Sequence, residues 1–482
     1  MKQYIPSNLE IEYIRNSNPE KFIKRYNEDK LINICHIILN YYKKNEYGFV
    51  KIASKIFKKY NHDYKEYLDF MEDYGIIDID KQFQHAPFPS LVRGYKFSED
   101  YNTTVTAAEI IYWPLVKKIM QQQQPAKNIS RSYNHLAKWF NSNLQVDIDT
   151  AHKYLNFEFP ILKRVSKECS RNRENILNTW FDNYSVKVQE LKKYEVSDPI
   201  KQYNYRYIKL DKINDKNYEL GVKGASKRFY SILTSLNSDY RNFLRYDNQQ
   251  LVSVDISNSQ PYFSLKFLDP EFWQKVFQTL FNNNISISNN IPSPSPSLST
   301  IWAKSLHKID KQEVELYKDL VTSGELYDFL ADLIKKETGI IYETRREKKD
   351  AIFTILYSNN RFIGQPDAAP KRVFRNAFPG IYELFSAIKR VKSNLLPVML
   401  QRIESYMIVD SITKMISKEY PDLPIFTIHD SIITLKGYED YISQIMNKEL
   451  TNFVGAKPKL KIEYWSEKYL KYYELWKQSK KK

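Results

Sequence analysis

The chain has 482 residues, enough for two to four domains and a sizeable core, and it carries a net charge of +16. Two cysteines, Cys35 and Cys169, are too few for a disulfide framework or a cysteine zinc site. No apolar run approaches the roughly 20 residues of a membrane span, and the opening Met-Lys-Gln-Tyr-Ile-Pro lacks the apolar core of a signal peptide. A soluble, cytoplasmic protein without a membrane partner is therefore expected.

The positive charge favours a polyanionic partner, of which nucleic acid is the commonest. A generic solvated surface, or lysine bias from an AT-rich genome, would give the same balance. The 38 tyrosines suit base stacking beside phosphate contacts, and they equally suit a core.

In chain order, residues 9–44 read as helical, with apolar positions every three or four residues. Phe49 to Phe57 reads as a short helix, and Tyr64 to Tyr74 as another, stopped by Gly75. Ile76 and Ile77 lead through a polar, proline-containing stretch to Gly94-Tyr-Lys-Phe97. Helix, helix and a two-stranded ribbon suggest a winged helix; a helical subdomain capped by a hairpin has the same pattern. Residues 105–195 read as mainly helical with a break at Gln121 to Pro125, and Leu162 to Tyr194 as a charged amphipathic helix. That helix suits either an arm against DNA or an exposed connector. The Asn-rich and Pro-Ser-rich segment 282–300 reads as a flexible surface insertion, and Lys480 to Lys482 as a frayed basic tail. The expected division is an N-terminal domain 1–104, a connector or thumb-like region 105–200, and a third domain 201–482.

The third domain carries the chemistry. Asp255 ends the strand-like run Leu251-Val-Ser-Val-Asp255, and His429-Asp430 sits at the turn between two strand-like halves of Ile425 to Leu435. A lone Asp at a strand end is more often a cap or turn residue. Two of them converge on one site if their strands are neighbours, and could then hold two Mg²⁺, with Mn²⁺ as a substitute. Arg346, Lys349, Phe353 and Tyr357, spaced 3, 4 and 4, share one helical face. Its cationic end suits β- and γ-phosphates and its aromatic end a base and sugar. The same spacing also fits a helix with Phe353 and Tyr357 in the core and its cations in water.

These residues resemble the palm and fingers of family A DNA polymerases and of the single-subunit phage-type RNA polymerases. Asp255-Ile-Ser257-Asn-Ser-Gln260 resembles motif A, Asp-x-Ser-x-x-Glu. The helix from Arg346 to Tyr357 resembles motif B, and His429-Asp430-Ser431 resembles motif C. Weaker similarities follow in order: Lys227-Arg228 and Arg241 before motif A, Phe378 to Phe385 after motif B, Gln401 with Glu404 before motif C, and a closing strand in Lys457 to Trp465. The resemblance covers roughly residues 220–466 and departs from the family at three places. Gln260 stands for the motif A glutamate, Ser358 for the glycine after the motif B tyrosine, and Ser431 for the motif C glutamate of most DNA enzymes. No exonuclease site is evident: Asp147-Ile-Asp149 reads as a loop feature.

The resemblance implies an α+β fold: a right-hand polymerase palm of antiparallel strands with helical fingers, behind a mainly helical N-terminal region. It implies template-directed nucleotidyl transfer by a compact DNA polymerase without proofreading, acting on a DNA primer-template and dNTPs, with replication accessory proteins as further partners. A monomer from a phage, plasmid or other mobile element is expected. Asp255 and Asp430 would be catalytic and bind metal. Arg346, Lys349, Phe353, Tyr357 and Gln260 would bind the nucleotide; Lys227, Arg228, Arg241, Gln401 and His429 would bind nucleic acid. Gln260 keeps nearly the bulk of a glutamate and can accept a hydrogen bond from Tyr357, so dNTPs are expected over rNTPs. The alternatives are an RNA polymerase or primase of the same superfamily, and a non-catalytic DNA-binding replication initiator.

Overall fold

The computed structural model describes residues 1–17, 19–21, 23–41, 48–80, 93–123, 131–180, 187, 190–191, 193–194, 197–273, 302 and 305–480. The insertion expected at 282–300 and the last two lysines lie outside the described residues. The fold mixes helices with sheets in which every strand pairing described is antiparallel.

The N-terminal region begins with a strand that the helical reading did not include. Strand β1 (Lys2–Pro6) pairs with β5 (Val105–Glu109). The helix expected over 9–44 is split into Ile11–Asn16 and Glu28–Asn40. Pro19 opens a separate turn, and Asn27 starts the second helix by accepting from the Lys30 amide at 3.3 Å. Phe49 to Phe57 likewise begins as strand β2 (Val50–Lys51), and helix follows only from Ser54 to Lys58. Helix Tyr64–Asp73 forms as expected and Gly75, at φ +65°, ends it. The expected ribbon is present as β3 (Ile77–Asp80) against β4 (Gly94–Phe97), and β2 joins the other edge of β4. Gly94 is required there, since a Cβ would lie 2.8 Å from that of Phe49. One apolar core joins these elements to Leu115 and Ile119.

Helix Trp113–Gln123 reaches the expected break, beyond which residues 124–130 are outside the described set. The long helix starts earlier than expected and spans Ile148–Leu177. Asp147 is its cap, accepting from the Thr150 amide at 3.1 Å, and Asp149 lies in its first turn. The Asp-x-Asp pair is thus helix-start chemistry and not a loop. Strand β6 (Leu144–Val146) interrupts this mainly helical region because it belongs to the central sheet.

After a small hairpin of β7 (Gly221–Lys223) and β8 (Arg228–Tyr230), the chain enters that sheet with β9 (Leu244–Tyr246) and β10 (Gln249–Ile256). Strands β11 (Phe426–Ile428), β12 (Ser431–Leu435) and β13 (Leu460–Tyr464) complete it. The order is β11-β12-β10-β9-β6, with β13 also paired to β10. Both faces are buried, Leu251 and Ile433 on one side, Val254, Ile256 and Ile432 on the other. A strand covered on both sides reads as a continuous apolar run. Asp255 sits near the end of this one, on the Leu251 face by the two-residue period.

Helix Arg345–Tyr357 packs its Ala351, Ile352, Ile355 and Leu356 inwards. Its neighbours are helices Leu326–Thr338, Ala369–Ala377 and Leu395–Ser405. Ile352 and Ile355 share one core with Val254 and Ile432 of the sheet, which fixes the helix relative to both acidic strand ends.

Candidate active site

Register brings the two aspartates together. Asp255 of β10 lies opposite Ser431 of β12, so Asp430, one residue earlier, is beside it. The chain reverses between β11 and β12 through His429 and Asp430, with His429 at φ +55°, a conformation that tight two-residue hairpins require. After β10, Asn258 adopts a left-handed φ of +58° and turns the chain into helix Ser259–Ser264, which carries Gln260.

These elements enclose a cleft of about 330 Å³. Asp255, Asp430, Gln260, Lys349 and Phe353 line it, as do Arg241 and His429. Tyr357 joins it indirectly: its hydroxyl donates to Gln260 Oε1 at 2.8 Å, and its ring stacks on Phe353 with centroids 5.0 Å apart. Lys349 Nζ lies 5.3 Å from the centre of the Phe353 ring. The helix therefore buries Ile352 and Ile355 and turns Lys349 and Phe353 to the cleft; of the alternative in which Phe353 and Tyr357 fill the core, only Tyr357 packs against the core, and only in part.

Arg346 does not line the cleft, whereas Arg345 does. Spacing gave no signal for Arg345: at about 100° per residue, positions 346, 349, 353 and 357 share a tighter face than 345, 349, 353 and 357, and only the packing of the helix brings Arg345 to the cleft. Sequence reasoning also missed Tyr327, from helix Leu326–Thr338, and Glu463 of β13. Glu463 lies opposite Ser253, which shares the Asp255 face. Its carboxylate is paired with Lys461 at 2.5 Å.

Arg228 and Gln401 stand behind the cleft. Arg228 Nη2 pairs with buried Glu404 at 2.6 Å, and Gln401 hydrogen-bonds the Tyr357 hydroxyl. Lys227 is held on this side by its backbone, its carbonyl accepting from Ser405 Oγ at 2.7 Å, and it does not line the cleft.

Burial and the neighbouring Asp430 charge push the Asp255 carboxyl up to about 7; Glu463 adds to this, and Lys349 and Lys461 oppose it. Burial lowers the His429 pKa, reinforced by Arg228 and opposed by Asp430. Burial also lowers the Arg241 pKa, and the Glu463 and Asp255 carboxylates oppose that shift.

No group of three or more His, Cys, Asp or Glu suited to a metal ion occurs among the described residues. The Asp255–Asp430 pair nevertheless fits Mg²⁺, which commonly takes one or two carboxylates and completes its shell with water and substrate phosphates. Asp255, Asp430 and Glu463 put three carboxylates on one cleft; burial first, and then the other two charges, raise the Asp255 carboxyl.

No helix among the described residues is long and apolar enough to cross a membrane. No protein-family model matches the chain, and no curated protein matches it. Among solved structures, the chain is similar to the POL domain of Pol1 from M. smegmatis, in complex with DNA primer-template and dNTP. The identity is 12% and the TM-score 0.29, over 73% of this chain and 74% of that one.

Proposed function

We propose that this chain is a template-directed nucleotidyltransferase, a compact family A-like DNA polymerase without a proofreading exonuclease. The observation that carries the proposal is the juxtaposition in one cleft of Asp255 and Asp430, set by the β10–β12 register, with the Lys349–Phe353 face of helix Arg345–Tyr357. A primer 3′-oxygen forms the new bond to the α-phosphorus of a nucleotide, the bond to the β-phosphate oxygen breaks, and pyrophosphate leaves. Asp255 and Asp430 would hold two Mg²⁺, which when bound lower the pKa of the 3′-hydroxyl and neutralise the triphosphate.

The protein's own groups supply the rest. Arg345 and Lys349 offer cationic donors to the phosphates. Phe353 presents a ring to the base. Eight residues of helix separate Lys349 from Tyr357, about 12 Å at 1.5 Å per residue. That suits the span from phosphate to nucleoside. Arg241 and His429 line the same cleft as the acidic pair and suit the primer end.

Gln260, held by Tyr357, keeps bulk beside the sugar and favours dNTPs. A second reading, an RNA polymerase or primase of the same superfamily, is favoured by Ser431 alone. Its side chain donates to the Ile428 carbonyl at 2.9 Å, within the β11–β12 turn. The non-catalytic initiator reading leaves the paired Asp255 and Asp430 unexplained.

We read the N-terminal module as a winged helix, supported by its chain order and by the strand order β2-β4-β3. Its helix Tyr64–Asp73 exposes Lys65, Glu66, Asp69 and Asp73, an acidic face that repels phosphate. Lys55, Lys58 and Lys59, exposed on and after the preceding helix, are the better duplex contact.

Primer extension with Mg²⁺ tests the reaction. Extension with dNTPs, weaker extension with rNTPs, and a rise in rNTP use in Gln260→Ala are expected. Better extension with rNTPs by the unaltered chain transfers the assignment to the RNA polymerase or primase reading, and no extension with either removes it.

A further inference from the structure

Behind Gln260 lies a carboxylate that the proposed reaction does not itself use. Glu404, on helix Leu395–Ser405, is only 1% exposed. It ends a polar chain that runs in one direction. Tyr357 Oη donates to Gln260 Oε1 at 2.8 Å, and Gln260 Nε2 donates to Glu404 Oε2 at 2.5 Å. Arg228 Nη2, from β8, pairs with Glu404 Oε1 at 2.6 Å. Next to Glu404, Ser405 Oγ donates to the Lys227 carbonyl at 2.7 Å and ties β8 to the same helix.

We infer that Glu404 and Arg228 are positioning residues for sugar selection: they fix the Gln260 amide, which in turn fixes the Tyr357 ring as a wall beside the nucleotide sugar. This rests on the polymerase reading above. Position 260 needs a side chain that accepts from Tyr357 and donates to Glu404, and an amide does both. A glutamate there would place two carboxyls in hydrogen-bond contact, where both cannot stay ionised. The identities of residues 260 and 404 are thus one coupled choice. Burial and the Asp430 charge push the Glu404 carboxyl up to about 8, and Arg228 and the Gln260 amide oppose that shift while holding its two oxygens in place.

The test is single-nucleotide primer extension by the full chain, comparing dNTP with rNTP. Glu404→Gln and Gln260→Glu should each loosen discrimination by about tenfold, the worth of roughly one hydrogen bond, and should raise KM for the dNTP more than they lower kcat. The exchanged pair, Gln260→Glu with Glu404→Gln, restores one carboxylate and one amide in contact and should return the dNTP-to-rNTP ratio to within about threefold of the unaltered chain. Arg228→Lys, which keeps the charge but loses the reach, should also loosen it, and serves if Glu404→Gln does not fold. Variants that shift Tm but leave the ratio unchanged, or an exchanged pair as loose as the singles, overturn the inference while the polymerase reading stands. An unaltered chain that extends with neither nucleotide overturns both.

Discussion

Asp255 and Asp430 occupy positions where the fold works against itself. Two carboxylates side by side in a buried cleft repel, and the raised Asp255 carboxyl records the cost. On the proposed two-metal reaction, Asp255→Asn and Asp430→Asn should each reduce primer extension roughly a hundredfold or more, since neither amide replaces a charge that would hold metal. Near-normal extension by either purified variant would remove the site assignment. Stability should move the other way. The folded Asp255 pKa, about 7, lies above its unfolded value, so between roughly pH 4 and 7 the folded chain binds more protons than the unfolded one. Stability therefore falls as pH rises through that window, and the loss is complete above it. In chelator at pH 8, Asp255→Asn should melt higher than the unaltered chain by a few degrees, an effect of order 1 kcal/mol. At pH 4 the two should melt together. A lower Tm for Asp255→Asn at pH 8 would contradict the repulsion argument.

Helix Arg345–Tyr357 is the element that joins chemistry to core. A capping box starts it: Thr344 Oγ1 accepts from the Glu347 amide at 3.2 Å, and Glu347 Oε2 accepts from the Thr344 amide at 2.8 Å. That box sets Arg345 as the first helical residue, and the four-residue spacing then carries Lys349 and Phe353 to the cleft. Arg345→Ala and Lys349→Ala should each raise KM for nucleotide about tenfold or more with little change in duplex affinity, while Arg346→Ala should change KM less than threefold. Steady-state extension beside duplex titration checks this, and an Arg346 effect as large as that of Arg345 would return the phosphate role to Arg346. Thr344→Ala should cost about 1 kcal/mol of stability, measured by denaturant unfolding, because it removes one half of the box.

At the scale of the whole molecule, the N-terminal core does not stop at residue 104. Strand β5 pairs with β1, and Ile110, Leu115 and Ile119 lie in the same core as Leu31 and Phe57. We propose that removal of residues 1–104 leaves this apolar surface bare and yields an aggregating protein, whereas removal of 1–123 yields a soluble one. Size-exclusion chromatography of both truncations decides it. Lys55, Lys58 and Lys59 to Ala should lower the salt slope of duplex binding by about 2–3, as expected for lost phosphate contacts. An unchanged slope would make the module a structural cap.

The strand–aspartate runs, the His-Asp turn and the cation–aromatic spacing were all legible in the sequence, because each is local: a period of two, a tight turn, a helical face. So was helix Tyr64–Asp73, bounded by Gly75. The N-terminal strand β1 was not legible, since its partner lies about a hundred residues away and its short apolar run has no period of its own. The break in the first helix was missed because one capping residue, Asn27, outweighed an apolar pattern that continues on both sides of it. Only the tertiary structure placed Asp430 beside Asp255 by register, turned Ile352 rather than Phe353 to the core, and put Glu404 behind Gln260. Sequence spacing fixes which residues share a face of one element; which face meets which neighbour depends on how the apolar surfaces of many elements are buried together.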